Sequence, residues 1–143
     1  MYDIAIIGGG PAGLAAGLYG ARGGMDTVLL ENMLVGGQIT KTTQVDNYPG
    51  FPDGIDGFAI GTNMQKQAER FGLEIKRTGV DSVELEGEIK RLHCGREVIE
   101  AKAVIIATGA HPKKLGLDRE EKLTGAGVSY CATARSSATP LSP

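Results

Sequence analysis

The stretch Tyr2-Asp3-Ile4-Ala5-Ile6-Ile7-Gly8-Gly9-Gly10-Pro11-Ala12-Gly13 decides how this 143-residue chain begins to fold. Its apolar run Ile4 to Ile7 has the composition of a parallel strand buried on both faces. The run leads straight into Gly8-x-Gly10-x-x-Gly13, and a helix-like segment follows from Pro11 to about Arg22. Gly8 permits a tight turn out of the strand. Gly10 lets backbone N–H groups approach a pyrophosphate with no Cβ in the way, and Gly13 lets the helix lie close to the sheet. Pro11 suits the first helical position, where its missing N–H would have no partner anyway. The unpaired N–H groups of that first turn, at the positive end of the helix dipole, favour a phosphate.

A second anchor follows at the spacing such a turn requires. Thr27-Val28-Leu29-Leu30 reads as another buried strand, and Glu31 closes it. An acidic residue about 20 positions beyond the glycines commonly accepts hydrogen bonds from a ribose hydroxyl. Strand, glycine turn, helix, strand and Glu31 together point to an adenine dinucleotide. Gly13, Gly17 and Gly20 fall on one face of the first helix, and each weakens it by about 1 kcal/mol against Ala. That face is expected to pack closely against a neighbour.

Residues 32–56 show no helix or strand period. Gly36-Gly37-Gln38-Ile39-Thr40 and Asp46-Asn47-Tyr48-Pro49-Gly50-Phe51-Pro52 are turn chemistry. A loop of this length is functional or disordered, and its place after the ribose-binding strand suits the far half of a dinucleotide. Ile60, Met64, Ala68 and Phe71 recur at helical spacing and are expected in the core. Asp56 is the expected N-cap and Gly72 the stop. Leu73 to Lys76 reads as a third parallel strand. From Val80 to Ala101, Val83, Leu85, Ile89, Leu92 and Val98 supply the apolar members of a three-stranded antiparallel meander. His93 and Cys94 lie in it without metal-ligand spacing and read as structural. Ala103-Val104-Ile105-Ile106-Ala107 is expected as a fourth parallel strand buried on both faces, ended by Thr108-Gly109 at the carboxyl edge where ligands bind.

Composition narrows the class. A net charge of −2 offers no electrostatic footprint for nucleic acid or an anionic membrane. No run is apolar enough to span a bilayer, and the N-terminus enters a strand at once, so no signal peptide is expected. Two cysteines, Cys94 and Cys131, do not make a disulfide framework, so a cytoplasmic location is expected.

The order of these elements resembles the flavin-binding domain of the pyridine nucleotide–disulfide oxidoreductases, and within them the low-molecular-weight thioredoxin reductases. Gly8 to Gly13, Gly36 to Thr40, Asp46 to Gly50, Ala107-Thr108-Gly109 and Gly127-Val128-Ser129-Tyr130-Cys131-Ala132-Thr133 carry the resemblance, over residues 1 to about 133. It implies an α/β, Rossmann-like FAD-binding domain: a parallel sheet with helices and a three-stranded antiparallel meander, incomplete at its C-terminal side. By resemblance, Gly8, Gly10, Pro11, Ala12 and Gly13 form the FAD pyrophosphate turn and Glu31 binds the adenosine ribose. Gly36, Gly37, Gln38 and Thr40 line the ribityl and isoalloxazine region, where Asn47 contacts the flavin. Val80 meets adenine through its backbone, and Ala107, Thr108 and Gly109 close over the dinucleotide. The family reaction carries electrons from NAD(P)H to FAD, to a Cys-x-x-Cys disulfide, and on to thioredoxin.

The pattern breaks after Thr133. Family members continue Cys-Ala-Thr-Cys-Asp-Gly, whereas this chain reads Cys131-Ala132-Thr133-Ala134-Arg135. A dithiol relay needs an attacking thiolate and a resolving partner, so Cys131 is a vestigial redox cysteine whose partner is replaced by Ala134. The resemblance divides the chain into an FAD-binding part (1–115), a connector toward a nucleotide and redox domain (116–133), and a tail outside the family pattern (134–143). The resemblance implies a continuation such as Cys-Asp-Gly-Ala-Phe-Phe-Arg, which in GC-rich codons read one base later gives the Ala132 to Ala138 run, so a frame-shifted tail without order is expected; a natural short chain is the alternative. The functional expectation is an FAD-binding module that is catalytically incomplete as written. One chain of a split or different-acceptor flavin oxidoreductase, with thioredoxin or a complementing chain as partner, stays open, as does a cofactor-free remnant. An unfinished sheet edge predicts self-association.

Overall fold

The computed structural model describes residues 1–124 and 126–130. The chain forms β1 (Tyr2–Ile7), α1 (Pro11–Arg22), β2 (Thr27–Leu30), a 3-10 turn (Gly37–Lys41), α2 (Gly57–Arg70) and β3 (Glu74–Lys76). These are followed by β4 (Ser82–Glu84), β5 (Lys90–Cys94), β6 (Glu97–Ile106) and the short α3 (Glu120–Leu123). Two compact units result, one spanning Met1–Gly109 and one beginning at Ala110.

In the first unit a six-stranded sheet runs in the order β3-β2-β1-β6-β5-β4. The β3-β2-β1-β6 side is parallel, with Ile4 opposite Thr27 and Ala103, while β6-β5-β4 is antiparallel. This is the α/β arrangement with a meander that the sequence implies, and the sheet is open. One strand serves both halves. Residues 97–101 of β6 pair with β5, and its later residues, to Ile106, pair with β1.

The side-chain period of two sends alternate strand residues into two cores. Ile6, Leu29 and half-buried Ile4 pack with Leu14, Ala68 and Leu73 on the helical side. Ala5, Val28 and Leu30 pack with Leu92, Cys94, Ile99 and Ala101, so the meander covers the other face of the parallel strands. Each fully buried Ile or Leu contributes about 1.5–3 kcal/mol of hydrophobic stabilisation.

The glycine face of α1 packs as its spacing requires. A Cβ on Gly17 would lie 2.6 Å from Leu73 Cδ2, and one on Gly20 would lie 2.8 Å from Thr27 Oγ1. Asp56 caps α2, its carboxylate accepting from the Ala59 N–H at 2.8 Å. Gly72, at φ +99°, follows the end of that helix.

Three expectations are corrected. Phe71 is exposed rather than core; it lies past the last turn of α2, with the Arg70 guanidinium 5.0 Å from its ring centre. Val98, Val83 and Leu85 face solvent, and Ile99 is the buried residue. Leu92 pairs with Ile99 and His93 with Val98, so the register puts Val98 on the outer face. The fourth parallel strand is not separate from the meander and is not buried on both faces: Ile106 is 62% exposed, because β5 ends its pairing at Ala101 and leaves the later edge of β6 open. The segment after Glu31 is built of turns, as its composition suggests. It holds the 3-10 turn and a bridge between Val45 and Ile55.

Candidate functional site

The carboxyl ends of β1 and β2 meet at the glycine turn. Gly8 leaves β1 at φ +105°, and a Cβ there would lie 2.4 Å from the Ala107 carbonyl oxygen. Gly8 therefore lets Ala107 and Thr108, at the end of β6, press against the turn. A Cβ on Gly13 would lie 1.9 Å from the Gly8 carbonyl oxygen, so only glycine lets α1 come this close. Gly10 is different. Its nearest neighbour beyond the local chain would be Gly37 Cα, 4.0 Å from an added Cβ. Among the described residues no side chain caps the N-terminus of α1 at Gly10, and Pro11 occupies its first turn, with Ala12 exposed beside it.

Glu31 faces this turn across the end of β2. Its Oε2 accepts from the Gly9 N–H at 2.7 Å and its Oε1 from the Met33 N–H at 2.7 Å. Gly9 is held from its other side as well, its carbonyl accepting from the Gly36 N–H at 2.7 Å. Gly36 and Gly37 both have positive φ, and a Cβ on Gly37 would lie 2.9 Å from Gly10 Cα. Thr40 fixes the 3-10 turn by donating to the Gly37 carbonyl at 2.8 Å. Gln38 is exposed on the same turn.

Thus Gly8, Gly10, Pro11, Gly13, Glu31, Gly36, Gly37, Thr40, Ala107 and Thr108 come together at one edge of the sheet. Gly109 continues from it at φ +70°. Val80 is half-buried against the meander core; the residue before it, Gly79, sits close to Asn32, immediately after Glu31. Asn47 is exposed in the excursion closed by the Val45–Ile55 bridge, and no described hydrogen bond ties it to the glycine turn. Cys131, Ala134 and the tail lie outside the described residues. Sequence reading missed Gly9 and Met33 as partners of Glu31. The motif assigns no role to the residue between Gly8 and Gly10, although the carboxylate reaches its N–H.

A second carboxylate, also missed, organises the unit after Gly109. Glu120 is 4% exposed and accepts from the N–H groups of Leu115 (2.8 Å), Gly116 (2.8 Å) and Leu117 (3.1 Å). The Tyr130 hydroxyl donates to its Oε1. That bond and the three N–H donors hold the Glu120 carboxyl at about 2, well below its ordinary 4.5, and push the Tyr130 phenol up to about 12. In the meander, His93 Nε2 pairs with Glu84 Oε1 at 2.9 Å, and Cys94 is a buried free thiol. No described helix is long and apolar enough to cross a membrane.

A strand, a glycine turn, a helix N-terminus and an acidic residue closing the next strand define a dinucleotide-binding α/β class. The chain belongs to the pyridine nucleotide-disulphide oxidoreductase family, whose pattern matches residues 2–143. Within it the chain corresponds to the N-terminal segment of low-molecular-weight thioredoxin reductases. It is 53% identical over 133 residues to thioredoxin reductase of Peptoclostridium litorale, covering 93% of this chain and 42% of that protein. The crystal structure of thioredoxin reductase from Streptococcus pyogenes superposes with a TM-score of 0.84 at 42% identity, covering 92% of this chain and 43% of the other. Thioredoxin reductase of Lactococcus lactis gives a TM-score of 0.80 at 40% identity, covering 92% and 43%. The chain thus spans less than half the length of these relatives.

Proposed function

We propose that the glycine-turn edge of the first unit binds FAD through its ADP half. The observation that carries this reading is the open space at Gly10 beside an uncapped helix N-terminus and a half-exposed carboxylate, Glu31. The donor set fits the cofactor: backbone N–H groups suit a pyrophosphate, and a carboxylate suits a ribose diol. Gly8, Gly10, Pro11, Ala12 and Gly13 would hold the pyrophosphate, and Glu31 the ribose. Gly36, Gly37, Gln38, Thr40 and Asn47 would lie along the flavin half, Val80 at the adenine, and Ala107 to Gly109 over the dinucleotide. Bound FAD would supply a carrier that accepts hydride and passes electrons to a disulfide.

The residues of this chain supply binding and orientation. Glu31 accepts hydroxyl protons in hydrogen bonds, and the first turn of α1 offsets phosphate charge without a basic side chain. In the longer relatives' context, residues 1–115 would form the FAD-binding part and 116–133 the connector toward a nucleotide and redox domain, with thioredoxin as the acceptor. Ala134 in place of a second cysteine removes the dithiol from this chain. Without that resolving thiol, the 143-residue chain should not sustain NAD(P)H-driven disulfide reduction by itself.

Fluorescence titration of the purified chain with FAD tests the site. Gly10→Val fills the one open glycine of the turn and should lower FAD affinity at least about a hundredfold, since several charge-assisted bonds to the phosphates are lost together. Equal affinity in the variant and the parent chain would overturn this placement.

A further inference from the structure

We propose that Glu31 is a positioning residue for the glycine turn as well as a ribose ligand. Its carboxylate is an internal clamp that sets the turn before any dinucleotide arrives. The proposal rests on the FAD reading for its second role only. Each carboxylate oxygen of Glu31 accepts one backbone N–H at 2.7 Å, Gly9 on one side and Met33 on the other. These donors lie on different segments: Gly9 in the turn between β1 and α1, and Met33 in the chain leaving β2. One side chain therefore ties the exit of β1 to the exit of β2.

Gly9 leaves room for the clamp. A Cβ at that position would lie 3.0 Å from Glu31 Cγ and 3.2 Å from Oε2, so glycine lets the carboxylate settle onto the backbone. The Gly9 carbonyl is meanwhile held by the Gly36 N–H at 2.7 Å, so the peptide groups on both sides of the Gly9 Cα are fixed. A carboxylate has about four acceptor positions on its two oxygens, and the clamp uses one on each oxygen. A vicinal ribose diol can take the others without displacing either N–H. Glutamine cannot reproduce this arrangement. Its amide carries one acceptor oxygen and one donor NH2, so either Gly9 or Met33 would face a donor.

Two measurements on the full 143-residue chain test the clamp. The first is amide hydrogen exchange without flavin. The Gly9 and Met33 N–H groups should exchange about tenfold or more slowly than solvent-facing loop amides, the scale of a hydrogen bond to an ionised group. Exchange of both at unprotected rates overturns the proposal, and this measurement needs no variant that must fold. The second compares FAD with an analogue whose adenosine ribose lacks its 2′ and 3′ hydroxyls, each titrated into the parent chain and Glu31→Gln. The clamp predicts that Glu31→Gln weakens the analogue as well as FAD, by about tenfold, because the pyrophosphate turn itself is disturbed. A loss confined to FAD, with the analogue unaffected, makes Glu31 a ribose ligand only and overturns the proposal. If the parent chain binds neither compound, the dinucleotide reading fails, and the exchange result still decides the clamp.

Discussion

Two carboxylates in this molecule hold backbone N–H groups, and they do so to different ends. Glu120 accepts from Leu115, Gly116, Leu117 and Tyr130, so all of its roughly four acceptor positions are taken. It is a buried anion that the chain supplies to its own amide nest. Glu31 accepts from Gly9 and Met33 among the described residues and stays half-exposed beside the open Gly10. The comparison separates a carboxylate whose acceptor positions are filled for structure from one that, on the proposed function, keeps positions for a ligand. Acceptor positions left over beside open backbone mark the second kind.

The glycines of the turn offer the strongest challenge to that distinction. Gly13→Ala would drive a Cβ to within 1.9 Å of the Gly8 carbonyl oxygen. It should destabilise the first unit by about 2–4 kcal/mol in urea unfolding, an overpacking clash against backbone. Gly10→Ala enters open space and should cost about 1 kcal/mol or less, the scale of losing a favourable N-cap residue. Similar losses at both positions would mean that Gly10 is as enclosed as Gly13, and the open site would disappear.

Acid should act on the Glu120 nest within a defined window. The folded-state carboxyl, at about 2, lies below its ordinary 4.5, so its contribution to stability is full above about 4.5 and is lost as pH falls toward 2. The Tyr130 phenol, at about 12, contributes below its ordinary 10 and loses that contribution as pH rises through 12. The amide resonances of Leu115, Gly116 and Leu117 should therefore hold their shifts down to pH 3 and move together below it. Tyr130→Phe removes the largest cause of the Glu120 shift and should raise the midpoint toward 4.5. A midpoint already near 4.5 in the parent chain would show that the nest is not closed.

A smaller effect is expected at the open edge of β6. Ile106 is 62% exposed, and no strand among the described residues lies beside it on the meander side. An unpaired apolar edge invites edge-to-edge association. Ile106→Lys should shift sedimentation of the chain toward monomer at high concentration. A parent chain already monomeric throughout would show that this edge is covered.

Where local backbone rules govern, the sequence is legible. The strand–glycine–helix unit, the Asp56 cap and the close-packed face of α1 follow from positive φ, capping and missing Cβ atoms, each set within a few residues. Register and reach are harder to read. Val98 and Ile99 are both apolar, and only pairing with β5 decides which faces the core. Phe71 fits the helical period but falls beyond the end of the helix, where that period no longer sets direction. Nothing local marks Glu120, because its partners are three amides several residues upstream and a phenol ten residues downstream. The spacing of Glu31 from the glycines suggests only a ribose ligand, while its bond to Gly9 depends on how two strand ends meet.

We propose that the first unit grips the ADP half of a dinucleotide through the glycine turn and Glu31. Titrating the purified chain with FAD and with FMN tests it most directly, because FMN keeps the flavin and one phosphate and lacks the AMP half. The site as described predicts FAD binding at least about tenfold tighter than FMN, or 1.4 kcal/mol. FMN binding as tightly as FAD would contradict it.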